Sequence, residues 1–189
     1  LFYGVLDRTI TLDYVLSKHI KTPLKKVSNY ALECLRLSLY QIMFMDKIPD
    51  SAAVNEAVKL IKGSKHKHLS GFVNGVLRNI LREGYDLPSG IDAKSLSVKY
   101  SCPVWIIESF INDYGIDNAV ALLEHSLKTP PVTLRVNTLK TNAMALTDIL
   151  SGENITSNVS TIDNALEIVG GIEVTKSKSY RDGLFHVQD

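Results

Sequence analysis

Residues 24–45 read LKKVSNYALECLRLSLYQIMFM, and this stretch decides the fold of the first half of the chain. Its apolar residues recur every three or four positions, the spacing of one buried face of an α-helix. Thr22 supplies an N-cap and Pro23 follows at the first helical position, while Ile48 and Pro49 stop the helix. The apolar positions are Val27, Tyr30, Ala31, Leu35, Leu39, Ile42 and Met43. One long helix over residues 24–45 is therefore predicted.

The same spacing predicts three more helices in the first half. Residues 12–20, 53–61 and 70–80 repeat it, and the last of these begins at a serine N-cap. Gly63 and Gly84 follow the second and third of these helices, where glycine commonly ends a helix. The first half is thus predicted to be an all-α domain.

A break in the helical pattern marks the predicted domain boundary. Residues 87–90 read Leu-Pro-Ser-Gly, a combination that favours a loop over a continuing helix. The sequence therefore predicts a helical domain over residues 1–88 and a second domain over residues 89–189.

The second domain is predicted to be α+β. Pro103 opens a helix that Gly115 stops, and a short helix then runs to about Lys128. Residues 132–136 alternate apolar and polar side chains, which predicts a strand with one polar face. Asn142 can cap a helix after this strand. Further short strands are predicted at residues 159–162, 165–169 and 184–188.

Charge is distributed unevenly between the two halves. The net charge of the 189 residues is +1. Residues 1–88 hold 13 Lys and Arg against 8 Asp and Glu, a balance of +5, and residues 89–189 hold 8 against 12, a balance of −4. A basic first half favours a polyanionic partner such as nucleic acid. The second half gives no such indication.

The cysteines and the apolar runs indicate the compartment. Cys34 and Cys102 have neither the number nor the spacing of a disulfide framework or a metal site, and a reducing, cytoplasmic location is predicted. No apolar run approaches the roughly 20 residues of a membrane span, and no signal peptide opens the chain. Leu1 is not an initiator methionine, so we expect residues to be missing before it.

Basic side chains are the candidates for binding. One group lies around the end of the helix over residues 53–61, and a second lies at residues 18–26; either could bind phosphate or simply be solvated, with cations that suit the helix dipole. Arg36, Arg78 and Arg82 are more specific candidates because guanidinium groups bind phosphate bidentately, although Arg36 could equally be a paired structural residue. The two groups comprise Lys59, Lys62, Lys65, His66, Lys67 and His68, and Lys18, Lys21, Lys25 and Lys26.

On the strand from Val132, Arg135 and Asn137 share one face. Together with Lys140 they could touch an RNA backbone or hold a neighbouring domain, and a solvated sheet face is an equal alternative.

No catalytic constellation is present in the sequence. It lacks a P-loop, a Gly-rich dinucleotide turn after a strand and a Gly-x-Ser-x-Gly elbow, so we predict no catalytic, cofactor-binding or metal-binding residue. Cys102 precedes a predicted helix, where the thiol pKa is lowered, but no histidine or carboxylate is near it in sequence and a structural role is favoured. Gly71 and Gly75 indicate close packing or a helix start.

Four ordered motifs in the first 85 residues resemble the NusB-type RNA-binding helical domain. They are LRLSLYQI at 35–42, Ile48-Pro49, AVNEAV at 53–58 and FVNGVLR at 72–78. Later motifs resemble the linker region of the RsmB (Sun/Fmu) methyltransferases, in which a NusB-like domain precedes a small RRM-like domain and then an S-adenosylmethionine-binding domain. These are SCPVW at 101–105, Pro131 with LRVN at 134–137, and GLFHVQD at 183–189.

The resemblance implies a function for the whole enzyme and places its catalytic residues in a further domain. Enzymes of that family methylate carbon 5 of a cytosine in small-subunit rRNA: a cysteine thiolate attacks the ring, S-adenosylmethionine supplies the methyl group, and a second cysteine helps to release the product. The target base must leave its stack. The nucleophile and the cofactor loop would lie beyond Asp189, so Cys102 is not expected to be the nucleophile, and the first NusB-like helix is expected to be incomplete at Leu1.

By this resemblance the chain positions small-subunit rRNA for a methyltransferase domain that it lacks, without metal, membrane or cofactor of its own. Two alternatives remain: an antitermination factor that binds RNA and a ribosomal protein, and a scaffold that packs on the catalytic domain without touching RNA. The predicted RNA-binding residues are Lys21, Lys25, Lys26, Arg36, Lys62, Lys65, Lys67, Arg78, Arg82, Arg135, Asn137 and Lys140.

Overall fold

The computed structural model describes residues 1–128, 130–170 and 173–188. Contacts divide the chain into two compact units, Leu1–Leu127 and Lys128–Asp189. The first unit is helical, and the second contains a four-stranded sheet with helices. The predicted fold class, an all-α domain followed by a small α+β domain, is confirmed.

Seven α-helices are described in the first unit, and they pack around two clusters of apolar side chains. The long helix α3 contributes Ala31, Leu35 and Leu39 to the larger cluster, to which α2, α4 and α5 also contribute. The smaller cluster is formed by α6 and α7. The helices are α1 (Phe2–Asp7), α2 (Thr9–His19), α3 (Asn29–Phe44), α4 (Asp50–Lys62), α5 (Ser70–Glu83), α6 (Ala93–Tyr100) and α7 (Val104–Ser126).

The start of the long helix differs from the prediction. Residues Leu24–Lys26 form a 3-10 turn, and the backbone is extended at Val27 and Ser28, with ψ of 142° and 129°. The helix therefore begins at Asn29, and it ends at Phe44. Val27 still packs against the core from outside the helix, so the apolar period extends beyond the start of the helix. Similarly, Ser70 is the first residue of α5 and does not cap it with its side chain.

Helix α6 was not predicted. Its N-cap is Asp92, whose carboxylate Oδ1 accepts hydrogen bonds from the backbone N–H groups of Lys94 and Ser95 at 3.0 and 3.1 Å. This helix packs on α2, where the Thr11 hydroxyl donates to the carbonyl of Val98 at 2.6 Å. The contacts thus group α6 and α7 with the first unit. A boundary between separately folding parts at residues 88 and 89 stays a prediction.

Two glycine predictions have different outcomes. Gly115 interrupts α7 with φ 77° and ψ 165°, as expected for a residue that stops one helix before the next. Gly71 and Gly75 lie in α5, and a Cβ added at either would meet nothing within 4 Å. The close packing expected at these two glycines is therefore absent, and Gly71 simply lies in the first turn.

The second unit has the order of elements of a ferredoxin-like fold, β-α-β-β-α-β. The strands pair antiparallel in the order β2-β3-β1-β4, with Leu134 of β1 opposite both Leu166 and Val187. Asn142 caps α8 as predicted, accepting from the N–H of Ala145 at 2.9 Å. The elements are β1 (Val132–Val136), α8 (Ala143–Gly152), β2 (Ser157–Val159), β3 (Ala165–Ile168), α9 (Lys178–Arg181) and β4 (Phe185–Val187).

One predicted strand is displaced. Strand β2 covers Ser157–Val159 rather than residues 159–162. The Ser160 N–H donates to the carbonyl of Ala165 at 3.0 Å, and Asn164 has φ 58°, so residues 160–164 form the hairpin turn. The left-handed conformation at Asn164 is one that asparagine tolerates well. Elsewhere, none of the described helices combines the length and the apolar character that crossing a membrane requires.

Candidate RNA-binding surface

Two segments of the helical unit carry cations and no carboxylate. Residues 14–32 contain Lys18, Lys21, Lys25 and Lys26 and no Asp or Glu. Residues 57–82 contain Lys59, Lys62, Lys65, Lys67, Arg78 and Arg82 and likewise no Asp or Glu. The side chains of each segment therefore carry net positive charge.

Two side-chain contacts bring these segments together. The ring of Tyr30, in the first turn of α3, stacks on the ring of His66 in the loop before α5, with centroids 5.1 Å apart and an interplanar angle of 20°. At the end of α2, Nδ1 of His19 lies 3.2 Å from Nδ2 of Asn79 on α5. Positive charges that are 30 to 60 positions apart in sequence thus lie on adjoining elements.

Most of the predicted lysines are exposed and open to a ligand. Six of them are exposed and make no salt bridge within the described ranges. They are Lys21, Lys25, Lys26, Lys62, Lys65 and Lys67. By contrast, Nζ of Lys59 is 2.6 Å from Oε1 of Glu56, so its charge is compensated. Phosphate contact by the six lysines stays a prediction.

The three predicted arginines of the helical unit differ from one another in exposure and in hydrogen bonding. Arg36 is largely buried and bound to Asp13 and Glu33, which is the structural pairing considered as an alternative. Arg78 and Arg82 are exposed on α5. Nε of Arg78 donates to Oδ1 of Asn74 at 3.0 Å, a contact that leaves its other N–H groups available.

In the second unit, two of the three predicted residues have structural roles. Nδ2 of Asn137 donates to the carbonyl of Gly183 at 2.8 Å, and Nζ of Lys140 donates to the carbonyl of Asp182 at 2.7 Å. Both therefore hold the turn that precedes β4. Arg135 is exposed on β1, directly opposite His186 of β4. RNA contact by Asn137, Lys140 or Arg135 stays a prediction.

Neither cysteine has the surroundings of a nucleophile. Cys34 is 2% exposed, and burial raises the pKa of its thiol, with a smaller contribution from the charge of Glu33. Burial also raises the pKa of the Cys102 thiol, the direction opposite to that of a reactive thiolate. Among the described residues no cluster of His, Cys, Asp and Glu side chains could hold a metal ion.

The sheet of the second unit differs from a doubly wound nucleotide-binding sheet. Every strand pair in the sheet is antiparallel, whereas a doubly wound sheet binds dinucleotides at the carboxyl ends of parallel strands, next to a Gly-rich turn. The turn between β1 and α8 is Asn137–Asn142 and contains no glycine. We therefore assign no cofactor chemistry to these residues.

The stack of Tyr30 on His66 is a contact that the sequence pattern does not predict. The apolar period places Tyr30 on the buried face of the long helix, yet its side chain is 36% exposed. His66 belongs to the basic group at the end of α4 but is not one of the predicted RNA-binding residues. No local signal marks the pair, since its two rings are 36 positions apart in sequence.

Comparison with known proteins gives one family match for each of the two parts of the chain. Residues 1–82 match the NusB family, and residues 102–184 match the Methyltr_RsmF/B-like, ferredoxin-like domain. One chain thus contains a match to the NusB family and a match to the RsmF/B-like ferredoxin-like domain, and the resemblance stated from the sequence is confirmed for both parts.

Particular relatives sharpen this assignment. The chain is 35% identical, over 100% of its length, to the probable ribosomal RNA small subunit methyltransferase B of Bacillus subtilis, and it spans 42% of that protein. Over 42% of its length it is 37% identical to the transcription antitermination protein NusB of Bacillus velezensis, spanning 62% of that protein. The crystal structure of PH0851 shares the fold, with a TM-score of 0.70, 21% identity, and coverage of 99% of this chain and 42% of PH0851.

Proposed function

We propose that this chain is the RNA-binding part of a cytoplasmic, S-adenosylmethionine-dependent enzyme that methylates carbon 5 of cytosine in small-subunit rRNA. The observation that carries the proposal is the combination of both domains in one chain that is similar, over its whole length, to a ribosomal RNA small subunit methyltransferase B. A NusB-family domain alone would suit an RNA-binding factor; the second domain favours the enzyme.

On this proposal the chain positions rRNA and does not transfer the methyl group. The exposed lysines of the two carboxylate-free segments supply sequence-independent affinity for phosphates. The methyl donor and the thiolate nucleophile are then assigned to a methyltransferase domain outside these 189 residues, a division supported by the chain spanning only 42% of the Bacillus subtilis relative.

A salt titration of binding to a small-subunit rRNA fragment tests the proposal. Each phosphate contact to single-stranded RNA steepens the log–log dependence of affinity on salt by about 0.7. Changing both Lys65 and Lys67 to Gln should therefore reduce the slope by about 1.4. Lys176→Gln is the matched control, since Nζ of Lys176 is exposed but paired with Glu173 at 2.7 Å. Binding that does not depend on salt would contradict the proposal.

An antitermination factor is the second candidate, and the similarity of the first part to NusB favours it. This function would require binding to a ribosomal protein together with RNA. Affinity purification of the chain from a bacterial lysate, followed by mass spectrometry, separates the two candidates. Stoichiometric recovery of one ribosomal protein would favour the antitermination factor, and rRNA without it would favour the methyltransferase.

A further inference from the structure

Three aromatic rings form a row at the surface of the helical unit. The Tyr30 ring stacks on that of His66, and the His68 ring follows 6.4 Å from His66 at an interplanar angle of 47°. Tyr30 is 36% exposed and His68 is exposed, while His66 between them is half-buried. The outer members of the row are thus accessible to a planar ligand.

The loop that carries the histidines is held by its own hydrogen bonds. The Ser64 hydroxyl accepts from the N–H of His66 at 3.0 Å and donates to the carbonyl of Ile61 at 2.8 Å. The N–H of Leu69 then donates to the carbonyl of His66 at 2.9 Å. Because the loop is fixed to the end of α4, little ordering is needed when a ligand binds, which favours affinity.

Exposed cations are close in sequence to the rings on both segments. Lys65 and Lys67 alternate with the two histidines along the loop, and Lys25 and Lys26 lie in the 3-10 turn just before α3. All four are exposed, and none has an acidic partner in the parts of the chain that the structure describes. A planar group that also carries negative charge is the ligand that this arrangement suits.

We propose that Tyr30, His66 and His68 form a stacking site for unpaired bases of single-stranded RNA, with the adjoining phosphates bound by the flanking lysines. Aromatic stacking within a cationic groove is how proteins hold single-stranded nucleic acid, and unpaired bases in loops can be splayed onto such rings, whereas bases within an A-form helix cannot. The inference rests on the proposed function in one respect: the chain must bind RNA.

Two probes separate stacking from charge. One is a single-stranded oligoadenylate of about 12 nucleotides, and the other is inorganic polyphosphate of equal charge, which has no bases. Tyr30→Ala should weaken oligoadenylate binding about 5- to 150-fold with an unchanged salt slope, and should leave polyphosphate binding unchanged. Tyr30→Phe keeps the ring and should bind oligoadenylate within about twofold of the wild-type chain.

The controls keep the result interpretable. Tyr114→Ala removes another exposed tyrosine that also lies beside an aromatic ring, Phe110 at 6.4 Å, and should leave oligoadenylate binding unchanged. His66→Ala should reproduce the effect of Tyr30→Ala, so the proposal can still be judged if the Tyr30 variant fails to fold. Circular dichroism establishes the folded state of each variant.

Each outcome decides one claim. If folded Tyr30→Ala and His66→Ala bind oligoadenylate as the wild-type chain does, the stacking site is overturned, and salt-dependent rRNA binding leaves the proposed function standing. An equal loss of polyphosphate and oligoadenylate would also overturn stacking, because the rings would then act only through the lysines. A wild-type chain that binds neither oligoadenylate nor the rRNA fragment would overturn both proposals.

Discussion

Asp13 of α2 and Arg36 of α3 form a bidentate ion pair. Nε of Arg36 donates to Oδ1 of Asp13 at 2.7 Å, and Nη2 donates to Oδ2 at 2.6 Å. The side chains are 18% exposed for Arg36 and 30% for Asp13, and Nη1 of Arg36 also donates to Glu33 at 2.6 Å. Hydrogen bonding to Asp13 is the main reason why the pKa of Arg36 is raised above its usual value. The pair links two helices of the core.

Removing the carboxylate of Asp13 should destabilise the helical unit. Asp13→Ala leaves a largely buried guanidinium with only the exposed carboxylate of Glu33, and charged hydrogen bonds at such sites contribute about 1 to 3 kcal/mol. We expect the free energy of unfolding to fall by that amount. Urea denaturation followed by far-ultraviolet circular dichroism measures it.

Glu56→Ala is the matched control for Asp13→Ala. The Glu56 carboxylate also pairs with a cation at 2.6 Å, but Lys59 and Glu56 are 72% and 65% exposed. Exposed pairs contribute about 0 to 1 kcal/mol, so this variant should remain close to the wild-type chain. If the two variants lose equal stability, the Asp13–Arg36 pair does not stabilise the core beyond an ordinary surface pair.

The sequence predicted the faces of the helices better than their ends. The period of Leu35 and Leu39 identified the buried face of α3 because burial alone sets that period. The predicted start of α3 at residue 24 was wrong because Val27 packs on the same core from a non-helical backbone. Helix α6 was missed because Pro88 and Gly90 just before it suggested a loop, although Asp92 is an N-cap residue.

The exposed lysines of the candidate site could be predicted from the sequence, but the contacts between its segments could not. Exposed lysines such as Lys65 and Lys67 can be identified from composition, since their charge keeps them at the surface. Contacts between distant segments cannot be identified from composition. The Tyr30–His66 stack and the Asp13–Arg36 pair each join different helices or loops. These contacts separated Arg36, which is engaged within the fold, from the lysines, which are open to solvent.

In the second unit, Glu153 should be a stabilising residue. Its carboxylate follows α8 and accepts hydrogen bonds from the N–H of Ser179 at 3.0 Å and from the hydroxyl of Ser179 at 2.8 Å. Ser179 is 1% exposed, so Glu153→Ala would leave its buried N–H without a partner, while its hydroxyl keeps the contact with the Ser177 hydroxyl at 3.1 Å. We expect a loss of about 1 to 3 kcal/mol.

Hydrogen exchange at the amides of β1 and β3 is the measurement for Glu153→Ala, because a chain with two compact units need not unfold in one step. Glu173→Ala is the control, since its pair with Lys176 is 63% and 78% exposed. Protection of the sheet should fall in the first variant only. If the amides of β1 and β3 are equally protected from exchange in Glu153→Ala and Glu173→Ala, the Ser179 contact contributes no stability.

The N-cap of α6 should make stability depend on acid. The Ser95 hydroxyl, then the Ser95 N–H, are the main hydrogen bonds that lower the pKa of the Asp92 carboxyl below its usual value. A lowered folded-state pKa means that the stabilisation is complete above the unfolded pKa, about 3.9 for Asp, and is lost as the pH falls through the folded pKa. Asp92→Asn keeps a capping oxygen without the charge.

Thermal unfolding of the wild-type chain and Asp92→Asn at several pH values tests this dependence. The wild-type chain should have the higher midpoint at pH 6, and the difference should shrink as the pH falls below about 4. Other carboxylates titrate alike in both proteins, so the difference reports on Asp92. A difference that stays constant down to pH 2 would show that the charge of Asp92 does not stabilise the cap.

Two glycine-to-alanine changes should have opposite signs. Gly115 has φ 77° and ψ 165° within α7, whereas Gly75 lies inside α5, and a Cβ at either meets nothing within 4 Å. Backbone conformation alone therefore decides each effect. Gly115→Ala places a side chain in a region that only glycine adopts readily, at a cost of about 1 to 3 kcal/mol. Gly75→Ala should stabilise by up to about 1 kcal/mol, the difference in helix propensity. Urea denaturation of both variants measures the two changes in the free energy of unfolding. If Gly115→Ala leaves this free energy unchanged, α7 readily becomes one continuous helix.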